Sequence, residues 1–215
     1  MPAPALRQRM EEALAALPLI AILRGISPGE AQRAATILHA AGFRLVEVPL
    51  NSPQPFDSIA AIRSCLPPDV IVGAGTVTAL AEVRHLAELR ADMVVMPHAD
   101  TEVIAEAKAR GMVCVPGIAT PTEAFAALKA GADGLKIFPA ELIGPRVIKA
   151  LKAVLPRGIR LIPVGGIAPD TMKPFVEAGA TGFGLGSALY SAGMPLDHLA
   201  ERAKRFVAAW QDLTA

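Results

Sequence analysis

Short apolar runs, each bounded by glycine, proline or polar residues, recur along the whole chain, and between them apolar side chains return at helical spacing. The runs Leu19–Leu23, Leu45–Pro49, Val70–Gly73, Met93–Met96, Val113–Val115, Gly134–Phe138, Arg160–Pro163 and Gly182–Gly186 read as eight strands. They are separated by roughly 20–30 residues, the period of βα units. Ser27-Pro28-Gly29-Glu30 and Thr120-Pro121-Thr122-Glu123 each write a helix start, with a cap, a proline at the first helical position and a glutamate three residues after the cap. Gly42, Gly111, Gly131 and Gly179 mark helix stops just before the next strand. Leu6, Met10, Leu14 and Leu17 recur at helical spacing and predict an amphipathic helix over 1–17. The pattern predicts an α/β fold: one domain over 1–215, built as a TIM (β/α)8 barrel at 18–215 behind the N-terminal helix. No linker or low-complexity stretch divides it.

Such a barrel builds its site at the C-terminal ends of the strands. On the sixth strand, Leu135 and Ile137 alternate with Lys136 and Phe138, so Lys136 stands inside an apolar strand. Burial disfavours an ammonium ion and favours the neutral amine, the form that attacks a carbonyl to make a Schiff base. A lysine that snorkels to water as an ion-pair partner is the plainer alternative. The other six lysines fall on predicted helix surfaces or ends. On the second strand, alternation turns Val46 and Val48 toward the helices and Glu47 inward. Glu47 is the only carboxylate flanked on both sides by strand residues, and burial there would raise its pKa into the range of acid–base work. An ion pair with Lys136 or Arg24 that merely satisfies the interior is the competing reading, though such a pair would also tune the lysine.

Arg24 ends the first strand, where its planar fork would hold a carboxylate or phosphate, or form a rim ion pair. Gly73-Ala74-Gly75-Thr76 ends the third strand and offers close approach plus one hydroxyl at Thr76, a weak signal by itself. His98, after the fourth strand, is the only histidine near the mouth and reads as surface more than as a proton shuttle. The seventh strand ends in Pro163-Val164-Gly165-Gly166-Ile167, and the eighth reads Gly182-Phe183-Gly184-Leu185-Gly186-Ser187. Two glycine-rich loops in those positions expose backbone N–H groups, with a helix opening at Ala168-Pro169-Asp170, and point to a phosphorylated ligand.

Composition narrows the field. Of the 215 residues, 53% are hydrophobic, enough for a large core, and a net charge of +1 gives no electrostatic case for nucleic acid or an anionic membrane. Cys65 and Cys114 make neither a disulfide framework nor a zinc site, and Cys114 reads as a small core residue. No signal peptide or membrane span is visible, so the expectation is a cytoplasmic protein that uses no metal and no cofactor.

The stretches PLIAILRG, VEVPLNSP, GAGTV, LKIFPA, VGG and GLGS together resemble the class I aldolases that cleave 2-keto-3-deoxy-6-phospho sugar acids. The resemblance runs from about Pro18 to the end of the chain. It implies that Lys136 forms the Schiff base and that Glu47 is the proton donor and acceptor. It further implies that Arg24 and Thr76 help bind the sugar acid, that Phe138 flanks the imine, and that Gly166, Gly186 and Ser187 hold the phosphate. Gluconate-type members usually carry arginine where this chain has Asn51 and threonine where it has Val164; both departures point to the galactonate branch, with pyruvate and D-glyceraldehyde 3-phosphate as products. Similar enzymes are homotrimers, and none uses His98. Gluconate cleavage, a phosphosugar epimerase or isomerase without covalent chemistry, and a non-catalytic phosphosugar-binding barrel are the alternatives.

Overall fold

The computed structural model describes residues 4–214. Helix α1 (Pro4–Ala16) precedes β1 (Leu19–Ile22), α2 (Pro28–Ala40), β2 (Leu45–Pro49), α3 (Pro55–Cys65), β3 (Ile71–Gly75), α4 (Leu80–Glu88), β4 (Met93–Val95), α5 (Thr101–Ala109) and β5 (Val113–Val115). The chain continues through β6 (Gly117–Ile118), α6 (Pro121–Lys129), β7 (Leu135–Ile137), α7 (Ala140–Val154), β8 (Leu161–Pro163), α8 (Met172–Ala178), β9 (Phe183–Leu185) and α9 (Leu196–Thr214). Every strand expected from the sequence is present, shifted by a residue or two at its ends. The predicted helix starts and stops hold as well. Thr120 and Glu123 cap α6 reciprocally, the Thr120 N–H donating to Glu123 Oε2 at 2.8 Å and the Glu123 N–H to Thr120 Oγ1 at 3.3 Å. Gly42, Gly111, Gly131 and Gly179 all sit at positive φ, the left-handed conformation that ends a helix.

All ladders are parallel, and the strands form two sets, β5-β4-β3-β2-β1-β9 and β6-β7-β8. The first is a six-stranded sheet curled into part of a barrel, with helices around it. This corrects the expected closed ring of eight continuous strands. Pro116, which has no N–H to donate, splits the fifth strand into β5 and β6. The strand β8 is joined toward β9 by an isolated bridge, Val164 to Gly184, and by the Thr181 N–H donating to the Leu161 carbonyl at 2.9 Å. With three residues each, β7, β8 and β9 are too short to sustain a longer ladder.

Alternation along the strands sorts side chains into two layers. Ala21, Val46, Val48, Val72, Val94, Leu135 and Ile137 face the helices in the larger core. Ile20, Ile22, Leu45, Ile71, Met93, Val95, Val113, Val115, Ile162 and Val164 form an interior cluster that contains side chains from both sheets. Helix α1 closes one end of that interior with Met10, Ala13 and Leu14. Its Arg9 joins Arg63 of α3 on the buried Asp92, at 3.1 and 3.0 Å. Glu47 and Lys136 occupy inward positions on β2 and β7, so the layer that is otherwise apolar carries two ionisable groups. One lysine departs from the surface expected of it: Lys108 is drawn in, pairs with Asp133 and donates to the Met112 carbonyl at 3.0 Å.

Candidate active site

Glu47 is 2% exposed and Lys136 4% exposed. Register places Glu47 beside Ile22 of β1 and Gly73 of β3, and Lys136 beside Gly117 of β6 and Ile162 of β8. Burial is the dominant influence on both. It pushes the Glu47 carboxyl up to about 7, against the opposing pull of the Lys136 and Arg24 cations. It also lowers the Lys136 ammonium from its ordinary value; Glu47 opposes that effect and Arg24 adds to it. Among the described residues no group hydrogen-bonds to Glu47 Oε2, so one oxygen of a buried carboxyl is open to a proton. Lys136 Nζ lies 4.5 Å from the centroid of the Phe138 ring, which walls the amine on one side. Chemically, the pair offers an amine inclined to lose its proton and a carboxyl able to gain or release one near neutral pH.

Arg24 follows β1 and is exposed, with Nη1 donating to Asn51 Oδ1 at 2.6 Å. Its charge reaches both Glu47 and Lys136. It also shares a cavity of about 280 Å³ with Phe138, Val164, Gly166, Gly186 and Ser187. The two glycine loops therefore meet, and Arg24 overlooks them. Gly165 and Gly166 are both left-handed, with φ of 106° and 66°. The helix expected after the seventh strand opens as a single 3-10 turn, Pro169–Thr171, with the Ala168 N–H donating to Thr171 Oγ1 at 2.9 Å. Thr76, half-buried at the end of β3, carries a φ of 57°, a strained backbone for a β-branched residue. His98 is exposed.

The residues singled out from the sequence thus fall into two neighbouring groups. Glu47 and Lys136 form the buried group, and Arg24, Phe138, Gly166, Gly186 and Ser187 line the cavity. Thr76 directly follows β3, the strand next to that of Glu47, and does not line the cavity. Glu141 was given no role from the sequence, and the contacts that Asn51 and Gly75 make within the site were not among its expectations. Asn51 holds Arg24, and Gly75 lies against Glu47. Glu141 backs the glycine loop, its Oε2 being 2.2 Å from where a Cβ on Gly165 would stand. The glycine pair is a visible hint for Glu141, whereas Asn51 marked the substrate branch in the sequence and gave no sign of its bond to Arg24.

Parallel strands around an interior that carries a buried lysine and carboxylate define an α/β enzyme with its ionisable groups on the strands. The chain belongs to the KDPG and KHG aldolase family, whose model matches residues 10–201. It is 48% identical to the 2-dehydro-3-deoxy-6-phosphogalactonate aldolase of Escherichia coli (strain K12), over 91% of this chain and 96% of that one. A solved structure described as native KDPGal superposes with a TM-score of 0.91 at 47% identity, over 92% of this chain and 96% of that one. The 2-keto-3-deoxy-6-phosphogluconate aldolase of Zymomonas mobilis ZM4, solved with 3-phosphoglycerate, superposes with a TM-score of 0.83 at 27% identity, over 94% and 96%. Among the described residues, no helix is long and apolar enough to cross a membrane.

Proposed function

We propose that this chain is a class I aldolase that cleaves 2-dehydro-3-deoxy-6-phospho-D-galactonate to pyruvate and D-glyceraldehyde 3-phosphate. The observation that carries the reading is the Lys136–Glu47 pair, an amine and a carboxyl both displaced by burial toward their neutral forms. Neutral Lys136 adds to the C2 ketone, and loss of water gives the imine. The protonated imine draws the electron pair of the C3–C4 bond as Glu47 takes the C4 hydroxyl proton. The aldehyde departs, the carboxyl returns the proton to C3 of the enamine, and hydrolysis frees pyruvate and the amine.

Arg24 and Thr76 hold the sugar-acid end, and Gly166, Gly186 and Ser187 take the phosphate at the glycine loops. Phe138 keeps water from the amine. The relative solved with 3-phosphoglycerate supports a phosphate-binding role for this family's frame. Asn51 and Val164 support the galactonate epimer, as does the identity to the galactonate enzyme. The chain is read as one domain over 1–215, its two sheets acting as a single barrel joined at Pro116 and at the Val164–Gly184 bridge. Its family supplies no support for an isomerase or a non-catalytic binding protein.

Borohydride reduction in the presence of pyruvate, followed by peptide mass analysis, tests the covalent chemistry. The expected result is a reduced pyruvate adduct on Lys136. An adduct on a different lysine would overturn the site, and no adduct on folded protein would overturn the mechanism. Cleavage of the two C4 epimers side by side tests the substrate, with faster cleavage of the galactonate compound expected and faster cleavage of the gluconate compound reversing the assignment.

A homotrimer is the proposed assembly. Leu142, 82% exposed at the start of α7, and Phe125 and Val147, 48% and 37% exposed, supply apolar surface that a second copy would cover. Sedimentation should give three times the chain mass for the wild type and a smaller species for Leu142→Glu. A wild type that sediments as a monomer rejects the trimer.

A further inference from the structure

Gly75 is the last residue of β3, and the space its side chain would take is filled by the carboxylate of Glu47. A Cβ built on Gly75 would stand 1.7 Å from Glu47 Oε2, 2.5 Å from Cδ and 2.9 Å from Oε1. These are its three nearest atoms, and all three belong to the Glu47 carboxylate. The backbone of Gly75 is fixed. Its carbonyl accepts the Leu50 N–H at 2.8 Å, and it stands in register with Pro49 of β2. The carboxylate in turn is closely confined, being 2% exposed. Gly73, one pleat earlier, has a different reason to be glycine. A Cβ there would meet the Met93 carbonyl oxygen at 2.1 Å and the Met93 carbonyl carbon at 2.8 Å, backbone atoms of the adjacent strand that cannot yield. Gly73 serves the sheet and Gly75 serves the carboxylate.

From this juxtaposition we infer that Gly75 is a positioning residue for Glu47, resting on the role proposed for Glu47 above. The missing methyl sets where the carboxylate stands, and hence its reach to the C4 hydroxyl of the substrate. A methyl at position 75 leaves the strand pairing intact, because what it meets is the end of a side chain. The carboxylate is displaced instead. A displacement of about 1 Å in a reacting group costs on the order of a hundredfold in rate. Imine formation at Lys136 does not draw on the carboxylate's reach to C4 and persists.

The test compares Gly75→Ala, Glu47→Asp and the double variant with the wild type. Three quantities are read: kcat for cleavage, the yield of borohydride-trapped pyruvate on Lys136, and the pH profile of kcat. Gly75→Ala should lose about a hundredfold in kcat while its adduct yield stays near wild type. Aspartate is one methylene shorter and withdraws from the new methyl. The double variant should therefore outrun Gly75→Ala by about tenfold and recover the wild-type shape of the pH profile. A Gly75→Ala enzyme as fast as wild type overturns the inference, and so does a double variant no faster than Gly75→Ala. If Gly75→Ala does not fold, the double variant decides. Recovered folding and turnover identify the carboxylate as the obstacle, and continued unfolding overturns the inference. Failure of the parent reading looks different: the wild type gives no Lys136 adduct, or Glu47→Asp and Glu47→Gln both turn over at the wild-type rate.

Discussion

Lys136→Met abolishes cleavage, with kcat falling by at least about four orders of magnitude, because the variant has no amine to form the imine. Methionine keeps nearly the same length and bulk and carries no charge, so the buried space of the Lys136 side chain against Phe138 stays filled and no ammonium has to be buried. The variant therefore keeps its far-ultraviolet circular dichroism and unfolds no earlier than the wild type in urea. The electrostatic consequence falls on the partner. Lys136 pulls the Glu47 carboxyl down more strongly than Arg24 does, so its removal lets burial push that carboxyl still higher. Pyruvate release is the readout for turnover, and borohydride trapping confirms that the adduct is gone. Turnover within a hundredfold of wild type in a folded variant would place the nucleophile elsewhere.

Glu47→Gln slows cleavage by about a hundredfold to ten-thousandfold while pyruvate is still trapped on Lys136. The amide keeps the shape of the carboxyl and removes the proton that moves. The same substitution alters stability in a pH-dependent way. In the folded protein the carboxyl is raised from 4.5 to about 7, so between those values the folded state holds a proton that the unfolded chain has lost. Wild-type stability is therefore full below pH 4.5 and falls as pH rises through 7, by about 3 kcal/mol for a gap of that size. Glutamine has no such proton. At pH 8 the variant should melt at a higher temperature than the wild type, and near pH 4.5 the advantage should disappear. Melting curves at the two pH values decide it. An equal difference at both would remove the buried, proton-holding carboxyl from the account. The gain in stability alongside the loss of activity is the expected mark of a group kept for chemistry and not for folding.

Much of this site is legible in the sequence. The two-residue period of a strand turned Glu47 inward between Val46 and Val48, and Lys136 inward between Leu135 and Ile137, and both are buried there. Periodicity is a local property, so a short window of sequence is enough to state it. Helix boundaries were legible for the same reason: a cap such as Thr120 and a left-handed glycine such as Gly131 act on backbone groups within a few residues. The meeting of the loops at Gly166 and Gly186 followed from strand order alone.

Other features were not read from the sequence, some of them because they are set by contacts between residues distant in the chain. Pro116 interrupts the fifth strand, and α7 breaks at Gly144, whose φ of 70° lies outside the helical range. The first altered the expected barrel closure. Arg24 meets Asn51 across 27 positions, and Gly75 meets Glu47 across a strand pair. Neither pairing has a periodic signature.

The order of strands and helices, the inward direction of Lys136 and Glu47 and the positions of the glycine loops were determined by the sequence, because each follows from a local preference of the backbone or from alternation. The neutral bias of the two ionisable groups, the confinement of the Glu47 carboxylate against Gly75 and the two-sheet pairing pattern were decided only by tertiary structure. Desolvation and steric exclusion depend on everything that surrounds a group, and only folding brings those surroundings together.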